Sequence, residues 1–136
     1  GTFTLRLQKQ CDNALEVAKF LESSPKIKKV LYPHLKSHPQ YDIAKEQMSS
    51  GGNMLAFEVE GDKEDAFKLM NKLKIIDISN NLGDAKSLIT HPATTTHSNI
   101  TEEERLEIGI TQSMCRLSVG LESSKDLIND LKIALK

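Results

Sequence analysis

The chain has 136 residues, 18 basic and 19 acidic, with a net charge of −1; this length is enough for one domain with a real core. Apolar residues at 38% and charged residues at 27% exclude a disordered chain. The even mixing of charge leaves no basic stripe for nucleic acid, and no apolar run approaches the roughly 18 residues of a membrane span.

Residues 4–22 read as a helix, with Leu7, Cys11, Leu15, Ala18 and Leu21 as its apolar stripe and Arg6, Lys9, Asp12 and Glu16 on the wet side. Ser23, Ser24 and Pro25 stop it. Ile27 to Tyr32 reads as a strand broken by Pro33, followed by a loop over 34–39 and a short helix from Tyr41 to Met48. Ser49-Ser50-Gly51-Gly52 is a turn feeding a strand from Met54 to Val59, where Met54, Ala56 and Glu58 alternate with Leu55, Phe57 and Val59. Lys63 to Leu73 is amphipathic, with Ala66, Leu69, Met70 and Leu73 on one face. Short strands at 75–78 and 88–89 flank an Asn-Leu-Gly-Asp turn. Thr101 and Glu104 form a capping box for a helix ending at Gly109. A strand follows from Met114 to Leu121, and Ser123 and Ser124 can cap a last helix with Leu127, Ile128, Leu131 and Leu135 on its apolar face.

Few connections in this order are long enough for regular parallel crossovers. The expectation is an α+β fold, a small, mostly antiparallel sheet covered on one face by helices. No repeat, low-complexity tract or linker divides residues 1–136, which read as a single domain. Cys11 and Cys115 have no motif around them and read as buried, reduced thiols of a cytoplasmic protein. Gly1 stands where a methionine would begin a chain, so an earlier segment is expected to have been removed.

Arg116 is the first candidate for chemistry. On its strand Cys115, Leu117, Val119 and Leu121 share one face, while Arg116, Ser118 and Gly120 share the other. The first face packs under helices; the second is solvated or lines a site. A guanidinium fork there offers parallel hydrogen bonds to a carboxylate. A structural salt bridge is the commoner role of a strand arginine, while small Ser118 and Gly120 leave room for a ligand. The turn Asn80-Asn81-Leu82-Gly83-Asp84 is either a plain hairpin-type connection or one that offers N–H groups or an Asn amide to an anion. In His91-Pro92-Ala93-Thr94-Thr95-Thr96-His97, and at His34 and His38, no cysteine or carboxylate completes a metal-ligand spacing, so no metal site is expected. No phosphate-binding loop, dinucleotide fingerprint or nucleophile elbow occurs, and no carboxylate pair stands out as acid and base.

Taken together and in order, these motifs resemble the pyridoxal-phosphate enzymes of cysteine and methionine metabolism, specifically their C-terminal domain, and within them the O-succinylhomoserine and O-acetylhomoserine sulfhydrylases. The resemblance extends to Thr4-Leu5-Arg6-Leu7 through Asn13-Ala14, to Val30-Leu31-Tyr32-Pro33 with Ser37-His38-Pro39, and to Gly52-Asn53-Met54-Leu55-Ala56-Phe57. It implies the C-terminal domain of a fold-type I enzyme. Arg116 would grip the substrate α-carboxylate, Asn81 and Leu82 would line the same pocket, Thr96 would stand beside the arginine, and Asn80 would face the substrate side chain. The lyase branch usually has serine and Leu-Gly-Gly where this chain has Asn81-Leu82-Gly83-Asp84; that departure favours the sulfhydrylase branch over cystathionine synthase, cystathionine lyase or methionine γ-lyase.

The reaction implied is γ-replacement by sulfide or a thiol, giving homocysteine in methionine biosynthesis, with chemistry supplied by pyridoxal 5'-phosphate. The cofactor lysine, phosphate-binding groups and ring-stacking aromatic belong to the family's larger N-terminal domain, whose motifs are not found here. No catalytic residue, and no cofactor bound to these residues alone, is therefore expected. The partners implied are that N-terminal domain, the amino-acid substrate and further copies in a tetramer. A contrasting reading is a stand-alone, non-catalytic domain that binds a small ligand or a protein; it predicts a fully polar exterior.

Overall fold

The computed structural model describes residues 2–38, 40–43, 52–78 and 85–136. Its elements are α1 (Thr2–Ser23), β1 (Ile27–Leu31), β2 (Met54–Val59), α2 (Lys63–Lys72), β3 (Asp77–Ile78), β4 (Leu88–Thr90), a 3-10 turn (Pro92–Thr94), α3 (Glu102–Glu107), β5 (Met114–Ser118) and α4 (Ser124–Ala134). Residues 41–43 are helical, as expected. The rest of that helix, the turn over 49–51 and the turn from Asn80 to Asp84 lie outside the described residues.

The strands form one five-stranded sheet in the order β1-β2-β5-β4-β3. β1, β2, β5 and β4 run antiparallel to their neighbours. β3 is parallel to β4 through two residue pairs, Asp77–Leu88 and Ile78–Ile89. The expected α+β, mostly antiparallel sheet is thus observed. One element of that expectation is corrected: 79–87 do not join a hairpin, because a hairpin reverses the chain and β3 and β4 point the same way.

Alternation decides which face is the core. Leu55, Phe57 and Val59 of β2, Cys115 and Leu117 of β5 and Ile89 of β4 are all buried together under the helices. The helices supply Ala14, Val17, Ala18 and Leu21 from α1, Ala66, Leu69 and Met70 from α2, and Leu127, Leu131 and Ala134 from α4. At about 25 cal/mol per Å² of apolar area, each large side chain here stabilises by about 2 kcal/mol. The α1 stripe is rotated from the sequence reading. Leu7 is 43% exposed, whereas Ala14 and Val17 are fully buried, because the helix also turns Asn13 inward to donate to the Gly120 and Glu122 carbonyls.

Caps explain most helix ends. Asp62 accepts from Glu64 N–H, and Asp65 accepts from Asp62 N–H, closing a capping box on α2. That second bond holds the exposed Asp65 carboxyl below its usual range. Thr101 and Glu104 make the expected box on α3. Gly109 at φ +85 then closes α3, with Ile110 N–H reaching Arg105 O and Gly109 N–H reaching Leu106 O. Ser123 stands at the start of α4 but makes no capping bond with its side chain, contrary to the expected cap.

Asp130, on α4, is a polar residue inside this apolar layer. Its carboxylate accepts the backbone N–H groups of Lys74, Ile75 and Ile76, each at 2.9 Å, and so fixes the link from α2 into β3. Tyr32 similarly donates its hydroxyl to Gly52 O at 2.5 Å, and burial raises its phenol well above the ordinary range.

Asp130→Ala strands those N–H groups and is expected to destabilise the fold by about 3 kcal/mol, with Asp130→Asn costing less because one acceptor remains; chemical denaturation measures both. Burial also pushes the Cys115 thiol from an ordinary 9.0 up to about 12. The raised value keeps its stabilisation complete below pH 9 and removes it as pH climbs towards 12. A Cys11→Ala variant should therefore label at Cys115 only on unfolding, and rapid native labelling at pH 8 would contradict that burial.

Candidate functional site

The face of the sheet opposite the core presents Arg116. It lies on the central part of the sheet, directly opposite Ala56 on β2 and Thr90 on β4. Side chains of paired residues share a face, so Leu31, Met54, Ala56, Arg116, Ser118, Leu88 and Thr90 surround one another there. Most are half-buried, unlike the core face. Among the described residues the Arg116 guanidinium has no hydrogen bond and no ion pair, and the one salt bridge among them is Lys86–Asp77 at 3.2 Å. The structural salt bridge that is the commoner role for a strand arginine is therefore not what these residues show.

Part of this face is roofed by residues 91–113. Ala93, Ile110 and Met114 form a small second core there, with Leu31 and Ala56 packed against it. His91 anchors the roof. It is 1% exposed, its Nε2 sits 2.6 Å from Gln112 O and its Nδ1 sits 2.9 Å from the Thr94 hydroxyl. A nitrogen facing a carbonyl must carry the proton, so Nε2–H donates to Gln112. With both nitrogens engaged and Phe67 edge-on at 4.9 Å, His91 is a structural residue. No group of potential metal ligands occurs among the described residues.

Thr96 and Arg116 are not joined by a hydrogen bond. Thr96 is exposed, and its hydroxyl pairs with His97 Nδ1 at 2.8 Å. The loop carrying it is held by Arg105, whose Nη1 donates to His97 O at 3.0 Å and Ile100 O at 2.7 Å. Sequence reading missed Arg105, since a helical charge carries no sign of the carbonyls it reaches. Asn80, Asn81 and Leu82 lie outside the described residues.

What is described is the stem of their segment. Leu121 N–H donates to Ala85 O at 2.7 Å and Gly120 N–H to Ser87 Oγ at 2.8 Å. Ser87 in turn gives its N–H and hydroxyl to the two carboxylate oxygens of Glu122, at 2.9 and 2.8 Å. Gly120 thus does not open room for a ligand, as its small size suggested. A Cβ there would stand 2.3 Å from Ala85 O, so the space is filled by backbone.

The chemistry available is that of an open guanidinium on a rigid strand, able to take a carboxylate or another oxyanion bidentately. Every described lysine is exposed, so none sits in the desolvated pocket that activates an amine for carbonyl chemistry.

The described residues form an α+β layer with a half-buried arginine on the open face of its sheet. The chain belongs to the family of Cys/Met metabolism PLP-dependent enzymes, whose profile matches residues 1–136. It is 49% identical to an O-succinylhomoserine sulfhydrylase of Mycobacterium tuberculosis, over 98% of this chain and 34% of that protein. It is 47% identical to an L-methionine gamma-lyase of Fusobacterium nucleatum, over 99% of this chain and 34% of that protein. A crystal structure of a putative O-acetylhomoserine (thiol)-lyase from Campylobacter jejuni, containing pyridoxyl-lysine monophosphate, superposes with a TM-score of 0.92 at 45% identity, covering 97% of this chain and 32% of that one. The chain therefore spans about a third of the length of these relatives. The described residues do not fit the lysine attachment of the family's cofactor, whereas Arg116 fits recognition of an anionic substrate group.

Gly120→Ala is expected to push Ala85–Ser87 away from β5 and to destabilise by about 2 kcal/mol. Thermal unfolding of that variant checks the close approach.

Proposed function

We propose that residues 1–136 form the C-terminal, substrate-side domain of a pyridoxal-phosphate enzyme that replaces the γ-substituent of an O-acylated homoserine with sulfide or a thiol. The observation that carries this reading is Arg116, half-buried on a central strand and without an acceptor among the described residues. Its guanidinium receives the substrate α-carboxylate by paired hydrogen bonds, fixing the amino acid at one end so that its γ-carbon is placed for reaction. Thr96 flanks the carboxylate, Asn81 and Leu82 complete its pocket, and Asn80 meets the side chain. The cofactor supplies the electron sink for bond cleavage when bound; the residues of this chain bind and orient.

Asn81-Leu82-Gly83-Asp84, in place of the serine and Leu-Gly-Gly of lyases, favours replacement over elimination. The second reading, a γ-lyase, draws on the near-equal identity to the methionine gamma-lyase. The remainder of the enzyme and further copies in a tetramer are the proposed partners, and exposed Leu5 and Leu7 on α1 supply apolar surface for such a contact. That exposure runs against the fully polar exterior of a stand-alone binding domain.

In the full-length enzyme, Arg116→Ala should lower kcat/KM for the amino acid by about 3 kcal/mol, roughly a hundred-fold, mostly through KM, and Arg116→Lys should recover part of it. Unchanged efficiency sinks the carboxylate role. Sulfide-dependent homocysteine formation from O-succinyl- or O-acetylhomoserine supports replacement; release of a 2-oxo acid and ammonia from methionine as the faster reaction supports the lyase.

A further inference from the structure

Glu58 is a buried carboxylate to which the proposed reaction gives no part. It is 7% exposed on β2, and among the described residues it accepts one hydrogen bond, from the Thr111 hydroxyl at 2.5 Å. Thr111 in turn lies 3.3 Å from the Ser113 hydroxyl. A glutamine would accept the same bond without the desolvation cost of a buried charge. The hydrogen bond alone therefore gives no reason for a carboxylate here.

The strand register shows which cations that charge faces. Met54, Ala56 and Glu58 point outward on β2; Ala56 stands opposite Arg116, and Glu58 stands opposite Met114 on one side and Lys29 on the other. Arg116 is thus the diagonal neighbour of Glu58 on one face, about 7 to 8 Å away from backbone to backbone, a separation that long side chains shorten. Lys29 is exposed, so water screens its charge, whereas Arg116 is half-buried. Neither makes an ion pair with Glu58, since the one ion pair among the described residues is Lys86–Asp77. The guanidinium is left open to an acceptor while a negative charge stands beside it.

We propose that Glu58 acts through Arg116 as its resident counter-charge and lowers the affinity of that arginine for an incoming carboxylate. This rests on the reading of Arg116 as the carboxylate-binding group. Glu58 touches no reacting atom; its role is electrostatic. Repulsion between like charges at this range, in a partly desolvated site, changes binding by roughly three- to ten-fold.

The test uses the full-length enzyme with its cofactor and whichever of O-acetylhomoserine and methionine it turns over faster, since both present the same α-carboxylate. KM, kcat and thermal stability are measured for Glu58→Gln, Thr111→Val, Arg116→Ala and the double variant Glu58→Gln/Arg116→Ala. Glu58→Gln should lower KM about three- to ten-fold with a smaller change in kcat. An unchanged or raised KM overturns the proposal. Thr111→Val removes the hydrogen bond and keeps the charge, so KM should not fall; an equal fall in both variants assigns the effect to the roof structure and overturns the charge role. In the Arg116→Ala background the effect of Glu58→Gln should vanish. A fall of the same size there shows that the carboxylate does not act through Arg116. If Glu58→Gln fails to fold, Glu58→Met also removes the charge and is read by the same outcomes. Arg116→Ala with unchanged KM sinks the carboxylate reading itself, while a raised KM there with no effect of Glu58→Gln sinks only the role of Glu58.

Discussion

The arrangement depends on the pleat of one strand. β5 is hydrogen-bonded on both sides, to β2 and to β4, and its register is held by the burial of Cys115 and Leu117 under three helices. Because side chains alternate, burying those residues forces Arg116 to the other face. A slip of one residue would exchange them, exposing two core side chains at about 2 kcal/mol each and driving a guanidinium into the apolar layer, at several kcal/mol more. The position of the arginine is therefore set by hydrophobic burial on the face it does not occupy.

A sheet covered on one face only leaves the second to be finished by other means. Here a single excursion, 91–113, does so in part, held within itself by polar bonds from His91 to Gln112 and from Arg105 to His97 and Ile100, and to β2 by one from Thr111 to Glu58. Glu58 shows the consequence. It sits at an outward position of β2 and is nonetheless buried, because the roof brings Thr111 over it. The rest of the face stays open around Arg116, which is where a ligand or a further part of the protein has access.

The sequence made the regular parts legible and missed the joints. β2 was readable to the residue, since its alternation between apolar and mixed positions is strict, and the Thr101–Glu104 box announced α3 through chemistry confined to neighbouring residues. The motifs around Arg116 also carried the family, which composition and periodicity could not. What was hidden depends on contacts between distant residues. The inward turn of Asn13 shifted the α1 stripe, β3 pairs with β4 in parallel beyond a link that Asp130 anchors at 74–76, and Gly120 turned out to be crowded rather than spacious. Asp130, Ser87 and Glu122 look like ordinary surface residues in the sequence, because a carboxylate reveals its partners only when the backbone N–H groups it meets are in place.

The strand and the segment that enters β4 are held in different ways. β5 is fixed by its ladder, where each displacement breaks several bonds at once. A connection has no ladder, so its precision must come from specific bonds at its ends. At the Glu122–Ser87–Gly120 corner Ser87 and Gly120 are buried, so any loosening leaves a donor or acceptor unpaired away from water, at about 1–3 kcal/mol per group. Several such groups are linked in series, Asn13 included. A corner of that kind opens as a unit or stays closed, which holds 85–87 against the end of β5.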